Sequence, residues 1–255
     1  MLIMSLLERI NLGYGFRRYF RIDAALDDAQ RDDVYRIRHE VYCEDLKFEP
    51  ERPDRREIDD YDEHSIHCLL TTARVPSKLV GCTRIVLTNP DDPDAPLPFE
   101  QLRAETLDRS IIDPAQLPRD RIGEVSRLAV RRTYRRRKGE EQSELVFHDE
   151  DYGTMTYPRF PYIPIGLYMG AVSLAAHRNI DYLFILTEPR LAEHFARLGC
   201  AIRQIGDPVS HRGLRVPSVI DVQRVIHDMR FMLRPLWRTV DEEIESSLPP
   251  SFMLH

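Results

Sequence analysis

The spacing of apolar positions changes several times along the chain, and each change marks an element. Val34, Ile37, Val41 and Tyr42 recur at helical spacing after Asp27, Asp28 and Asp32. Carboxylates at such a start favour a helix, so one is predicted from there to about Asp45. Arg38 falls inside its apolar stripe and Arg36 on the opposite side. Arg18–Ile22 reads as a first strand behind a weakly ordered lead over residues 1–16. Ile66–Thr72 and Leu79–Thr88 alternate as strands joined at Pro76-Ser77, with Val80, Cys82, Arg84 and Val86 on one face of the second. Phe99–Arg103 starts a short helix, and Ile122, Val125, Leu128 and Val130 mark a strand. Ile165–Asn179 is apolar almost all round, which predicts a buried helix, and Gly166 and Gly170 permit close approach of another backbone. Asp181–Thr187 reads as a strand covered on both faces. Pro189 then starts a helix with the stripe Leu191, Phe195 and Leu198, which Gly199 stops. A strand over Cys200–Ile205 follows, then a helix over about 221–238. Charged or proline-rich loops cover 46–63, 89–98 and 114–118, and Gly139–Pro164 has little pattern beyond its aromatic residues.

This β-α-β-α-β order requires an α/β layer fold around a mixed sheet. It implies a single domain over 1–255, with a core over about 18–220, the C-terminal helix, and weakly ordered ends.

One strand breaks its own pattern. Ile122-Gly-Glu-Val-Ser-Arg-Leu-Ala-Val130 carries Glu124, Ser126 and Arg127 among β-formers. Charges in a core strand are costly, so they need a use. In a regular strand residues 124 and 127 face opposite ways. One β-bulge between them brings both to one face, and it frees a backbone N–H that can hold an oxyanion. Next comes a turn with Arg131, Arg132, Arg135, Arg136, Arg137, Lys138 and Gly139, a place for backbone donors and charge to meet a phosphate.

Composition narrows the field. A net charge of −6 argues against a nucleic-acid binder. Apolar runs fall short of the roughly 20 residues that span a bilayer, and Met1–Ile10 is short for a signal peptide. Cys43, Cys68, Cys82 and Cys200 are scattered, as suits buried thiols in a reducing compartment, so a cytoplasmic protein is expected. His64-x-x-His67 lacks a third metal ligand nearby and reads as structural, so no metal is expected.

A Glu-x-x-Arg strand followed by a basic turn and a helix resembles the acyl-carrier-dependent branch of the GNAT acyltransferases. The chain is similar to acyl-homoserine-lactone synthases, to N-acyl amino acid synthases, and above all to acyltransferases associated with exosortase (PEP-CTERM) systems. The likeness runs over about 30–220 and rests on the order of motifs. Arg38 and Tyr42 match an Arg-x-x-x-aromatic helix, Phe48 a bulky aromatic, Asp59 and Asp62 an acidic pair, and Gly81-Cys-Thr-Arg84 a Gly-x-x-Arg strand. Tyr42 and Phe48 stand where Phe and Trp are usual, and Phe195-x-x-x-Gly199 resembles the last helix of these domains.

The resemblance implies a GNAT-like fold whose sheet splays near 124–130 and 182–187, and an acyltransferase activity. Glu124 would be the base that deprotonates an amine, with Arg127 orienting it or clamping a substrate carboxylate. Arg38, Phe48, Asp59, Asp62, Arg84 and Ser126 would line the acceptor site. Leu128, Ala129 and Val130 would hold the thioester oxygen, and Arg135, Arg136, Arg137 and Gly139 the phosphopantetheine phosphate. No tightly bound cofactor is implied. The donor is an acyl thioester on acyl carrier protein, with coenzyme A as the other carrier. The surplus of basic side chains favours the acidic protein. The expected product is an N-acyl amino acid, whose lipid character would bring the protein to a membrane surface only peripherally. Two alternatives stand beside it: acyl-homoserine-lactone synthesis from S-adenosylmethionine, and an acyl-carrier-binding module without turnover.

Overall fold

The computed structural model describes residues 11–103, 106–135, 161–198, 202–210, 213–250 and 252. Helix α1 (Leu12–Tyr19) leads into β1 (Phe20–Ala24). Residues 12–16 of the expected weakly ordered lead thus belong to a regular helix, capped by Asn11 and packed on the C-terminal helix, and residues 1–10 lie outside the described residues. Helix α2 (Asp28–Arg38) has the full capping box of Asp27 and Gln30, and continues as a π-helical stretch, His39–Asp45.

Strands β2 (Ser65–Thr72), β3 (Leu79–Leu87) and β4 (Ile122–Val130) follow, with α3 (Pro98–Arg103) between the last two. Then come α4 (Tyr162–His177), β5 (Tyr182–Thr187) and α5 (Pro189–Leu198). Short strands β6 (Arg203–Gln204) and β7 (Val209–Ser210) precede β8 (Leu214–Asp221), α6 (Val222–His227) and α7 (Arg234–Ser247).

The sheet has the order β1-β2-β3-β4-β5-β8-β6, with β7 paired to β8. Neighbours are antiparallel except β4 and β5, which run parallel. This is the mixed sheet flanked by helices that the sequence predicted. The β4–β5 register covers Ile122↔Tyr182 to Val125↔Ile185, and both strands then run on. The sheet therefore opens where the splay was expected.

One face carries α4, buried along its length, against Ile22, Leu70, Val80, Ile85 and Val130. A Cβ on Gly166 would stand 2.7 Å from Phe16, and one on Gly170 2.5 Å from Ile22. The close approach is therefore made by side chains, not by another backbone as the two glycines were expected to permit. The other face carries α2, with Val34 and Ile37 against Leu69, Cys82 and Ala129, and next to it a cluster of Val86, Phe99, Ile122, Phe184 and Val219. Cys43, Cys68 and Cys82 are buried free thiols; Cys200 lies outside the described residues.

Two parts of the C-terminal half differ from the sequence reading. Leu214–Asp221 is a strand inside the sheet, although Pro217 withholds a ladder donor and argues against one there. The single helix expected over 221–238 is two, separated by a turn through Asp228–Leu233. Pro235 sits in the first turn of α7, where its missing N–H costs nothing. Among the described residues no helix is long and apolar enough to cross a membrane.

Candidate active site

The irregular strand organises the site. Cys82 faces Ala129 and Arg84 faces Ser126, so two steps on β3 match three on β4. The extra residue makes a bulge, but between Ser126 and Ala129 rather than between Glu124 and Arg127, where the sequence reading placed it. Arg127 takes φ +51 inside it, a left-handed conformation that costs a non-glycine residue about 1–3 kcal/mol. Ile122 and Ala129 pack on the α2 side of the sheet, Leu128 and Val130 on the α4 side. Glu124, Ser126 and Arg127 consequently share the α2 face with Arg84.

Tyr42, on the π-helical stretch, holds the bulge. Its hydroxyl donates to the Leu128 carbonyl at 2.9 Å, and the Arg127 guanidinium carbon lies 5.6 Å from its ring centroid. Burial pushes the Tyr42 pKa up to about 12, so the donor keeps its proton. Phenylalanine at this position would leave that carbonyl unheld. Tyr42→Phe is therefore expected to lower kcat about tenfold with little change in donor KM, because one neutral hydrogen bond is worth about 1 kcal/mol. Steady-state kinetics, with amide hydrogen exchange at Leu128–Val130, checks this.

A buried ion network fixes the surrounding chain. Arg38, fully buried, donates to Asp62 at 2.6 and 2.9 Å and to Glu57. Arg84 donates to Asp59, to Asp62 at 3.0 Å and to the Ser126 hydroxyl at 3.1 Å. Arg127 donates to Glu57 and Asp59, each at 3.0 Å. Burial would raise the pKa of Asp62, but the hydrogen bonds and charges of Arg38 and Arg84 outweigh it and hold the carboxyl well below its usual range. Burial likewise opposes ionisation of Glu57, and the Arg38 and Arg127 charges keep its pKa lowered.

Glu124 stands apart from this network. It is 5% exposed, and its Oε2 accepts from the Phe99 N–H of α3 at 2.7 Å. Burial is the largest influence and pushes its pKa up to about 7; the Phe99 N–H, Arg84 and Arg127 oppose it. Such a carboxyl can exchange a proton near neutrality, as a general base requires.

A cleft of about 370 Å3 connects these groups. Asp59, Arg84, Glu124, Ser126 and Arg127 form its polar wall. Val125, Leu128, Ile185, Leu186 and Leu191 form an apolar strip through the sheet opening. Thr187, Glu188 and Arg215 lie on the far side.

Several expectations need correction. Arg38 does not face the cleft; it is sealed between Glu57 and Asp62 and acts on the site only through them. Asp62 is also outside the lining, as is Phe48, which packs against the cluster around Val34 and Leu69. Arg127 does not orient Glu124: its donors go to Glu57 and Asp59, and Phe99 holds Glu124. In the basic turn Arg131 bonds Glu40 at 2.8 Å and Arg135 pairs with Asp45, so both tie the turn to the π-helical stretch. Arg136, Arg137, Lys138 and Gly139 lie outside the described residues. Val130 and Ala129 are buried in the two opposite cores and only Leu128 of that trio lines the cleft. His67 is buried, and burial pushes its pKa down to about 3, so it is neutral.

Glu57, Tyr61, Thr187, Glu188 and Arg215 were missed. Glu57 is one carboxylate among many in a charged loop. Its signal is arithmetic: two inward arginines, Arg38 and Arg127, require a buried anion between them.

Residues 37–143 match the family model described as an acetyltransferase (GNAT) domain. No curated protein matches the sequence. Among solved structures the chain is similar to TofI in a ternary complex with an inhibitor and MTA, with TM-score 0.55 and 20% identity over 86% of this chain and 98% of that one. It is also similar to BjaI, a CoA-dependent acyl-homoserine lactone synthase solved with SAM and isopentyl-CoA (TM-score 0.55, 18% identity, 91% and 92% covered). A third is FeeM, an N-acyl amino acid synthase from uncultured soil microbes (TM-score 0.53, 15% identity, 84% and 97% covered). At these identities the likeness is one of fold, and the fold is that of the GNAT acyltransferases.

Proposed function

Given an acyltransferase of the GNAT fold, we propose that this chain is an N-acyltransferase. It moves a fatty acyl group from a carrier thioester to the amine of an amino acid or related small amine. One observation carries the reading: a buried carboxyl poised near neutrality stands beside a bulged strand at an opening in the sheet.

A thioester is already activated, so amide formation needs a positioned neutral amine and a site for the oxyanion. Glu124 takes the ammonium proton. The amine attacks the thioester carbon, the bulge around Leu128 offers backbone donors to the oxyanion, and the C–N bond forms as the C–S bond breaks. The second amine proton leaves to solvent or to the departing thiolate. The apolar strip from Val125 to Leu191 suits an alkyl chain, and the gap between β4 and β5 suits an extended pantetheine arm. FeeM, as an N-acyl amino acid synthase, supports this reading, and BjaI, as an acyl-homoserine lactone synthase, supports a second one in which S-adenosylmethionine is the acceptor and a lactone the product.

The test is product analysis by mass spectrometry. Purified protein is given acyl carrier protein or coenzyme A thioesters with mixed amino acids or with S-adenosylmethionine. An N-acyl amino acid supports the first reading and a lactone the second. Thioester binding without product would sink both and leave a binding module.

Acyl carrier protein is the proposed donor, through exposed Arg132 and the basic residues that follow it in the sequence. Charge steering weakens as the Debye length falls from about 10 Å at 0.1 M salt to about 3 Å at 1 M. Salt and Arg132→Glu are therefore expected to raise KM for acyl carrier protein severalfold and leave KM for acyl-coenzyme A nearly level. Equal effects on both donors would remove the protein donor.

A further inference from the structure

The turn between α6 and α7 has no part in the chemistry above. It presents Phe231 and Met232 to solvent, 84% and 71% exposed. Exposed apolar side chains scattered singly need no explanation, but two bulky ones side by side do. Among the described residues no other large hydrophobics so exposed are neighbours in the chain. The turn is well tied down. Met229 and Leu233, on either side of the pair, are buried in the main core with Val225 and Leu236. The Leu233 N–H donates to the Arg230 carbonyl at 2.9 Å, and Arg234 donates to the carbonyls of Met229 at 3.3 Å and His227 at 3.4 Å. Phe231 and Met232 are therefore held out in water by a fixed backbone.

The charge around this tip is of one sign. Arg224, Arg230, Arg234 and Arg238 are exposed, and so is His227. Asp228 is the only carboxylate from 222 to 240, and Arg224 and His227 both pair with it. The helices packed on α6 and α7 add Arg17, Arg18 and His177 and no carboxylate. Within α7, Arg234 and Arg238 come first, and Asp241, Glu242, Glu243 and Glu245 follow. The helix dipole favours the reverse order, with acid at the start and base at the end. An arrangement that works against the helix itself points to an anionic partner at this corner.

An apolar tip within a basic ring suits the interface of a bilayer. Phe and Met enter at the boundary of headgroups and acyl chains while guanidinium groups meet the phosphates. A stable protein interface buries roughly 800 Å2 a side around a packed apolar centre, far more than two side chains offer. A fluid bilayer needs no matching socket.

We infer that the Phe231–Met232 turn seats the protein on the surface of an anionic lipid bilayer, as a peripheral contact. The inference stands apart from the acyl-transfer reading of the cleft. Where both hold, a lipid-like product is made at the surface that takes it up.

The experiment sediments the full chain with vesicles of phosphatidylcholine, with or without phosphatidylglycerol. The wild type should bind the anionic vesicles about tenfold or more tightly than the neutral ones, since each cation near such a surface adds about fivefold. Roughly 1 M salt, where the Debye length is about 3 Å, should release it. Phe231→Ser with Met232→Ser should weaken binding about tenfold or more and leave Tm level, because both side chains already stand in water. Arg230→Gln should weaken it about fivefold. Phe231→Trp should give emission that shifts to the blue on anionic vesicles only. Arg132→Glu, in the other basic turn, should bind as the wild type does. Equal sedimentation of the wild type and the double serine variant overturns the assignment, as does a loss of binding that follows Arg132→Glu in its place. A wild-type dimer that the two serines split would also overturn it and make the turn a subunit interface. Transfer from soluble thioesters should be the same in the wild type and the double variant, so failure of either reading leaves the other standing.

Discussion

Glu124→Gln should lower kcat by about 10²–10⁴-fold, the range typical of a lost general base. The wild-type rate should rise with pH through about 7, where the buried carboxyl ionises, and the residual rate of the variant should lack that limb. Stability should move the opposite way. The pKa of this carboxyl rises from 4.5 to about 7 on folding, so the folded state binds the extra proton between those values. Its contribution is fully present below 4.5 and is lost as pH rises through about 7. Ionisation of the folded protein costs on the order of 3 kcal/mol. Thermal melts at pH 4.5 and 8.5 would show it: the wild type should lose this contribution between them, and Glu124→Gln should be close to it at pH 4.5 and above it at 8.5. A variant that melts early at both pH values, with activity per folded molecule intact, would make Glu124 a structural residue.

The second large effect concerns Arg38. Arg38→Met leaves Glu57 and Asp62 without their main counter-ion in a dry part of the protein. Removing one partner from a buried pair costs about 3–5 kcal/mol. For a chain of this size that is a fall in Tm on the order of 10 °C. The cause can be separated from a mere cavity by pH. Stranded carboxylates take up protons as the solution is acidified, so the deficit should shrink between pH 7 and 5. A deficit independent of pH would assign the loss to packing.

The α/β order was legible because helical and strand periods alternate on either side of the poorly patterned Gly139–Pro164, up to residue 198. The Glu124/Arg127 interruption was legible because charges in a β-run have few bland explanations, and a bulge followed from simple parity, although its place between Ser126 and Ala129 did not. What the residues did with each other was harder to read. Arg38 lies in an apolar stripe in either case, whether it faces a cleft or a buried anion; only the fold showed Glu57 folded beneath it. Arg215 was hidden because Pro217 disguised its strand, and without the strand there was no face to assign. Two helices were read as one because the apolar residues of the turn, Met229 and Leu233, keep near-helical spacing while the backbone leaves the helix at Asp228.

The sheet consists of two antiparallel blocks, β1–β4 and β5–β8, that meet along four parallel residue pairs. In mechanical terms this seam is a hinge line: within each block the strands hold one another along their length, and across it they hold only at one end. Backbone edges beyond Val125 and Ile185 have no strand between them to transmit load. A donor arm threaded there would act as a temporary strand, joining the blocks along the whole seam. The molecule should then be softest when empty and stiffen on loading, with amide exchange in the far halves of β4 and β5 slowing as the donor binds.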